Sequence, residues 1–546
     1  MFSYLHCYMP ETWDAQVRAG LINDRAGIRF AQSIDIDPEK KFNRLARKDG
    51  PLWQTARAVK GPFYVDRLQG GCYLEEYPYD MELVDAWRAL PDGRFWGFQM
   101  HEWMSNYASD LDKLRRNRCP AWTKKDIVET ILRAYPFPHV FLESMNAGEM
   151  EEGGCPESWR HFLRNAEALY RKRMAYTGDA LLPCDSFSLA FPVELRAGTK
   201  RLMPEIGAQT PDTRIQLAYA RGMTRAEGFS FGAYYEPWGG RPFSVCCYQR
   251  DSLNEWNLMD EKSFPFRAAG ANGGSSRSLQ RRMHLYAYMA GASFLAEEWG
   301  MANTFYDWHD FALSPYGEVK RDFIRFTERY PDIGKPVVPA AAVIPDEVAA
   351  LEMSAFDSDG YLGYPAEDDR LREKLAVMRR GLDFLFRRSS PMRGDETTSL
   401  RNCVTPDAID IVNESFLIPG KYRYLIDLTG GPSLARRFPG KVVKPEDAET
   451  ILGKELPCAV RGNAMKQFTE NEKGQMYMLL TNNSGIERSV EKGERRIAEA
   501  GETLTIRMNI PRRIVPLEGD GRLSQGEDSL ARVFLPAGGY FFAALA

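Results

Sequence analysis

Over its first 330 residues the chain alternates short apolar runs with amphipathic stretches, and that alternation restricts it to an α/β fold. The strand candidates are FSYLHCY (2–8), GIRFAQS (27–33), PFYVDR (62–67), RFWGFQM (94–100), HVFLE (139–143), ALLPCDS (180–186), RLMPE (201–205), FSFGAYY (229–235) and SFLAE (293–297). Helical patterns such as WDAQVRAGLIND, MELVDAWRAL and SLQRRMHLYAYMAG lie between them. The pattern predicts a (β/α)8 TIM barrel over residues 1–334, with a doubly wound open sheet as the other arrangement it permits. Nine candidates are one too many for such a barrel, and which one is surplus decides where the later side chains stand.

Four of the runs lead into an acidic residue beside an aromatic or a glycine: Glu102, Glu205, Glu236 and Glu298, with Glu143 a fifth. A carboxylate at the C-terminal end of a parallel strand stands at the barrel mouth, where such folds keep their chemistry. Hydrolysis of a glycosidic bond needs two carboxyls, one to protonate the leaving oxygen and one to attack or to activate water from the opposite face. Glu102, between His101 and Trp103, suits the acid/base, because a neighbouring ring excludes water and raises a carboxyl pKa. Glu205, followed by the turn residue Gly207, suits the nucleophile. Glu236 carries the same signal, with Tyr235 and Trp238 able to wall a sugar subsite, and Trp299 follows Glu298 in the same way. Glu297 and Glu298 are adjacent, so only one can point into the mouth. Arg29, Asp66 and Arg67, at early strand ends, are candidate ligands for sugar hydroxyls. Each of these acids also fits a strand-end ion pair of purely structural use.

Composition narrows the remaining classes. A net charge of −4 without a basic stripe argues against nucleic acid, and no apolar stretch is long enough to span a bilayer. The N-terminus MFSYLHCYMPETW lacks the basic start and apolar core of a secretory signal, so the cytoplasm is expected. Nine scattered cysteines without C-x-x-C, and six histidines without H-E-x-x-H, argue against a disulfide framework or a zinc site. No cofactor is expected. GANGGSS (270–276) lacks the lysine of a phosphate-binding loop and reads as a loop into the following helix.

GKPVVP reads as a linker near residue 334. From 335 to 435 the strand VPAAAVIP, the helix REKLAVMRRGLDFLFRR and the strands AIDIVNES and KYRYLIDL predict a Rossmann-like accessory domain without the dinucleotide fingerprint. From 436 to 546 the alternating runs QMYMLLTN, ETLTIRM, ARVFLP and GGYFFAAL predict a small antiparallel, β-sandwich-like domain.

The segment HCYMPETWDAQVRAGLINDRAGIRFAQS resembles the first β/α unit of clan A glycoside hydrolases, particularly the family 42 β-galactosidases, through Tyr8, Pro10, Glu11, Trp13, Gly27, Ile28 and Arg29. The order of barrel, Rossmann-like domain and small β domain is similar to that family as well. The resemblance implies a retaining hydrolase of a β-linked glycoside, with the acid/base after the fourth strand, the nucleophile after the seventh, and the accessory domain mediating homo-oligomer assembly. Counting from the strand at 2–8, the fourth ends at Glu102 and the seventh at Glu205. If one earlier candidate lies outside the barrel and SFLAE is the eighth strand, Glu236 becomes the nucleophile, partnered by Glu102 or Glu143. The family carries Asn before the acid/base, and here His101 stands there. Two other readings are a non-catalytic or lyase-type carbohydrate-binding barrel and a metal-dependent hydrolase or isomerase using His6, His101 and the strand-end carboxylates.

Overall fold

The structure, a computed structural model, describes residues 2–8, 10–31, 36–37, 42–43, 48, 50–66, 81–134, 155–186, 188–207, 213–236, 276–298, 304–306, 310–352, 360–361, 363–386, 405–431, 433–489, 493–525 and 530–546. Eight parallel strands close into a barrel. In order they are Ser3–Tyr8, Gly27–Ala31, Phe63–Asp66, Phe95–His101, Leu181–Asp185, Arg201–Gly207, a seventh strand made of Ser230–Phe231 and Ala233–Glu236, and Phe294–Glu297. The eighth pairs with the first through Ser3↔Phe294 and Leu5↔Ala296, which removes both edges.

This closure resolves the surplus strand. Phe98 to His101 of the fourth strand pair directly with Leu181 to Cys184, leaving no place between them for a strand from 139–143. That run lies outside the described residues. Arg201–Gly207 is therefore the sixth strand, not the seventh, and the seventh ends at Glu236. Gly207 makes the approach between these two possible. Its φ is +137°, and a Cβ there would lie 2.5 Å from the carbonyl oxygen of Glu236.

Local chemistry sets the helix starts. Ser276 accepts from the Leu279 amide at the head of Arg277–Met289, and Ser314, followed by Pro315, accepts from the Tyr316 and Gly317 amides at the head of Pro315–Arg329. Asp368 does the same for Asp369–Leu385 by accepting from the Leu371 amide.

Beyond the barrel, a four-stranded parallel sheet runs in the order Ile409–Asn413, Ala340–Ile344, Tyr424–Asp427, Val442–Val443. Antiparallel sheets follow: a five-stranded one containing Met465–Glu470, Met476–Thr481 and Tyr540–Leu545, and a four-stranded one containing Glu502–Met508 and Ala531–Leu535. Lys335–Pro336 forms an edge of the five-stranded sheet by pairing with Thr469 and Glu470. The parallel sheet packs on the barrel helix Thr213–Glu227 so closely that a Cβ on Gly222 would lie 2.1 Å from the Ile411 carbonyl oxygen. Buried charges lock that contact. Asp410 takes Arg221 at 2.5 Å and Arg225 at 3.2 Å and accepts from the Tyr422 hydroxyl at 2.9 Å, while Asp407 takes Arg214 and accepts from the Tyr286 hydroxyl at 2.6 Å. No helix among the described residues is long and apolar enough to cross a membrane.

Replacing Asp410 by Ala leaves a buried guanidinium without its counter-charge. The expected cost is about 3–5 kcal/mol, read from the midpoint of chemical denaturation. Asp112→Ala, which breaks an exposed helical pair with Arg116, is expected to cost less than about 1 kcal/mol.

Candidate active site

Alternation along each strand decides which side chains reach the barrel interior. Leu5, Tyr64, Leu182, Met203, Tyr234 and Phe294 fill it. Two residues beyond Met203, Tyr234 and Ala296, on the same faces of their strands, stand Glu205, Glu236 and Glu298. The fourth strand reaches this layer by a different route. Its pairing with the third shifts register between Phe63 and Val65, opposite Gly97 with φ +110°, so Trp96 and then Gln99 and His101 face inward while Phe98 and Met100 pack outward.

Glu102 comes next in the left-handed conformation, φ 46° and ψ 38°. For a residue with a side chain this costs on the order of 1–3 kcal/mol, and it persists only where the surroundings hold it. The Glu102 amide donates to the Cys184 carbonyl at 2.5 Å, and the Ser186 hydroxyl donates to Glu102 Oε1. The helix Trp103–Arg116 then begins.

The side chains converge. Oxygens of Glu102, Glu205 and Glu236 all lie within 4.8 Å of one another. His101 Nε2 is 3.7 Å from Glu102 Oε2, 3.8 Å from Glu205 Oε1 and 3.9 Å from Glu298 Oε1. The Gln99 side-chain amide lies 3.1 Å from His101 Nδ1, so the ring is held with Nε2 facing the carboxylates. Burial, reinforced by Glu236, Cys184, Glu102 and Glu298, holds the Glu205 carboxyl well above the usual carboxylate range.

His101, Cys184 and Glu205 also offer atoms within 4.8 Å of one another. This set brings together a ring nitrogen, a thiol and a carboxylate oxygen, donors of the kind a divalent cation takes. His6 does not join it. Its strand position faces outward, its ring lies 4.7 Å from that of Tyr4, and burial together with nearby Lys320 lowers its pKa to about 3.

Other sequence candidates separate by the same geometry. Arg29 reaches the interior, with its guanidinium 5.1 Å above the Tyr234 ring and its Nη1 donating to the Glu297 carbonyl at 2.9 Å. Tyr235 and Trp103 are not sugar walls. Tyr235 turns outward against His284, ring to ring at 5.5 Å, because its neighbour Glu236 faces in, and Tyr234 takes the inward place. Trp103, only 2% exposed, packs on Tyr170 at 4.9 Å, and its indole donates to Glu194 at 2.8 Å. Asp66 ends the third strand, and its side chain is outside the described part, as are Glu143, Arg67, Trp238 and Trp299. Ser186, Gln99 and Tyr234 escaped sequence reading. For Tyr234, period-two counting back from Glu236 was the available signal. A separate cleft of about 530 Å³ lies between the first turns of Arg277–Met289 and Pro315–Arg329 and contains none of these carboxylates.

No protein-family model matches the chain, and no curated protein does. The chain is similar to β-galactosidases in fold. One is from the psychrophilic Marinomonas ef1, at TM-score 0.42 and 10% identity over 100% of both chains. Another is from the Antarctic haloarchaeon Halorubrum lacusprofundi, at TM-score 0.43 and 11% identity over 100% of this chain and 99% of that one.

Glu297, one residue before Glu298, faces the other way and serves closure. Its Oε1 accepts from the Tyr4 hydroxyl at 2.5 Å and lies 3.1 Å from Gln280 Nε2 and 2.9 Å from His284 Nε2; its Oε2 is 2.6 Å from Lys320 Nζ. Strands eight and one and two outer helices meet on that one carboxylate. Burial alone would raise its pKa, but Lys320 and the His284 hydrogen bond bring it down to about 2. A depressed carboxyl stabilises the fold fully above its ordinary pKa of about 4.3, and the contribution disappears as pH falls toward about 2. The melting temperature is therefore expected to drop through that window. In Glu297→Gln it should be lower at neutral pH and should respond less to acid there, as followed by circular dichroism.

Proposed function

We propose that this chain is a retaining glycoside hydrolase acting on a β-linked glycoside, with Glu102 as acid/base and Glu236 as nucleophile. The observation that carries the reading is the convergence of these carboxylates at the ends of the fourth and seventh strands, with oxygens within 4.8 Å. Retaining enzymes keep their two carboxyls about 5 Å apart, whereas inverting ones hold them roughly 6.5–9.5 Å apart to admit a water between them.

Glu236 attacks the anomeric carbon as Glu102 passes its proton to the departing glycosidic oxygen. A covalent glycosyl-enzyme results. Glu102, now a carboxylate, takes a proton from water, which displaces Glu236 and restores both groups. Glu102 suits the exchange with solvent because its side chain is 24% exposed, while that of Glu205 is fully enclosed. His101 Nε2 stands beside Glu102 and Glu298, at 3.7 and 3.9 Å from their oxygens. Glu205 is the third carboxyl of the cluster and remains a neutral acid between the other two. Arg29 stacks on Tyr234 in the layer beneath these carboxylates. Self-association through residues 335–435 belongs to the same reading, and light scattering should give a mass well above 62.2 kDa.

The test is hydrolysis of a panel of aryl and alkyl β-glycosides, with the product anomer followed by NMR. Glu236→Gln should reduce turnover to background. Glu102→Gln should lose about 10²–10⁴-fold on alkyl glycosides, little on activated aryl glycosides, and be rescued by azide. Glu205→Gln, which keeps a neutral side chain of the same shape, should retain most activity. Loss in Glu205→Gln with an active Glu236→Gln would return the nucleophile to Glu205, and an inverted product would exclude the retaining mechanism.

A further inference from the structure

Behind the carboxylate cluster, on the outward side of the fifth strand, lies a second acidic pair that the proposed reaction does not use. Asp185 ends that strand, and Glu194 belongs to the short helix Phe191–Arg196. Both are fully enclosed, neither Asp185 oxygen nor Glu194 Oε2 meets a donor among the described residues, and the two carboxyls are close enough that a proton shared between them supplies their hydrogen bond. Two carboxylates in contact away from water cannot both be ionised, so one proton lies between them. Each residue also has a covalent or hydrogen-bonded route to Glu102. Glu194 Oε1 accepts from the indole of Trp103, the residue after Glu102, at 2.8 Å. Asp185 is followed by Ser186, whose hydroxyl donates to Glu102 Oε1. Glu102, Trp103, Glu194, Asp185 and Ser186 thus close a ring. That ring grips Glu102 at its backbone and at its carboxyl, and Glu102 itself stands in a left-handed conformation.

We propose that Asp185 and Glu194 are positioning residues whose shared proton closes this ring and holds Glu102 in line with the leaving oxygen. The inference rests on Glu102 being the acid/base. The groups facing the pair are Glu102, Tyr170 on the helix Trp159–Tyr176 and Tyr219 on the helix Thr213–Glu227. Burial, then the facing Glu194, raises the Asp185 carboxyl well above the usual carboxylate range, whereas Glu194 is raised by burial and drawn back by its contacts with Asp185 and Trp103. Loss of the shared proton at alkaline pH sets two charges against each other and opens the ring.

The experiment compares Asp185→Val, Asp185→Asn and Glu194→Gln with the parent on an alkyl and an activated aryl β-glycoside, across pH, after melting curves confirm that each is folded. Asp185→Val should lose roughly 10²-fold in kcat on the alkyl glycoside with KM unchanged and with the aryl glycoside spared, because only the step that needs an aimed proton donor suffers. Asp185→Asn and Glu194→Gln put an amide where the proton lay. They should keep kcat within a few-fold and hold it to higher pH than the parent. Equal loss on both glycosides, or an unchanged alkaline limb in the two amide variants, would overturn the proposal. Infrared difference spectra separate this failure from that of the glycosidase reading. A protonated-carboxyl band present at neutral pH and absent from Asp185→Asn supports the shared proton even if Glu102→Gln proves insensitive to the leaving group, and its absence from the parent refutes the pair.

Discussion

A parallel strand turns neighbouring side chains to opposite faces, and in a closed barrel the two faces have different fates. Everything else at the mouth follows from that constraint. Glu236 faces in and Tyr235 out; Glu298 faces in and Glu297 out; Glu205 faces in from the sixth strand. Inward acids become a cluster. Outward ones become structural, and Glu297 joins Tyr4, His284 and Lys320 into the contact that seals the eighth strand to the first.

Clustering acids has an electrostatic consequence. Two full charges 4.8 Å apart repel by about 3 kcal/mol at an effective dielectric constant of 20, so the cluster cannot stay fully ionised. The most enclosed member, Glu205, is the one whose pKa burial raises well above the usual carboxylate range. Asp185 and Glu194 repeat the arrangement one layer further out, with Asp185 raised by burial and by Glu194, and Glu194 raised by burial. Between the two sits Glu102, in a backbone conformation that needs support from both sides.

The same economy of buried charge fastens the remainder of the chain. Asp407 and Asp410 reach arginines on the barrel helix Thr213–Glu227, so the parallel sheet is registered on the barrel by ion pairs that water does not screen. Gly222 at the same contact leaves the space that lets Ile411 approach.

The repeated strand-then-helix pattern sufficed for a (β/α)8 barrel, because period-two and period-3.6 hydrophobic spacing are local properties of the chain. The acids at the strand ends were legible for the same reason, as were the parallel strands at 340–344, 409–413 and 424–427 and the later antiparallel ones. Only the closed sheet decided that Glu205 belongs to the sixth strand and Glu236 to the seventh, since pairing of the fourth strand with Leu181–Asp185 is a contact between residues far apart in sequence. The register shift at Gly97 had no sequence reading either, yet it turns His101 inward and sets up the left-handed turn at Glu102. Asp185 and Glu194 were invisible as a pair. Nine residues apart on a strand and a short helix, they meet only because the chain folds back against Trp103, and burial rather than spacing gives two ordinary acids a common proton.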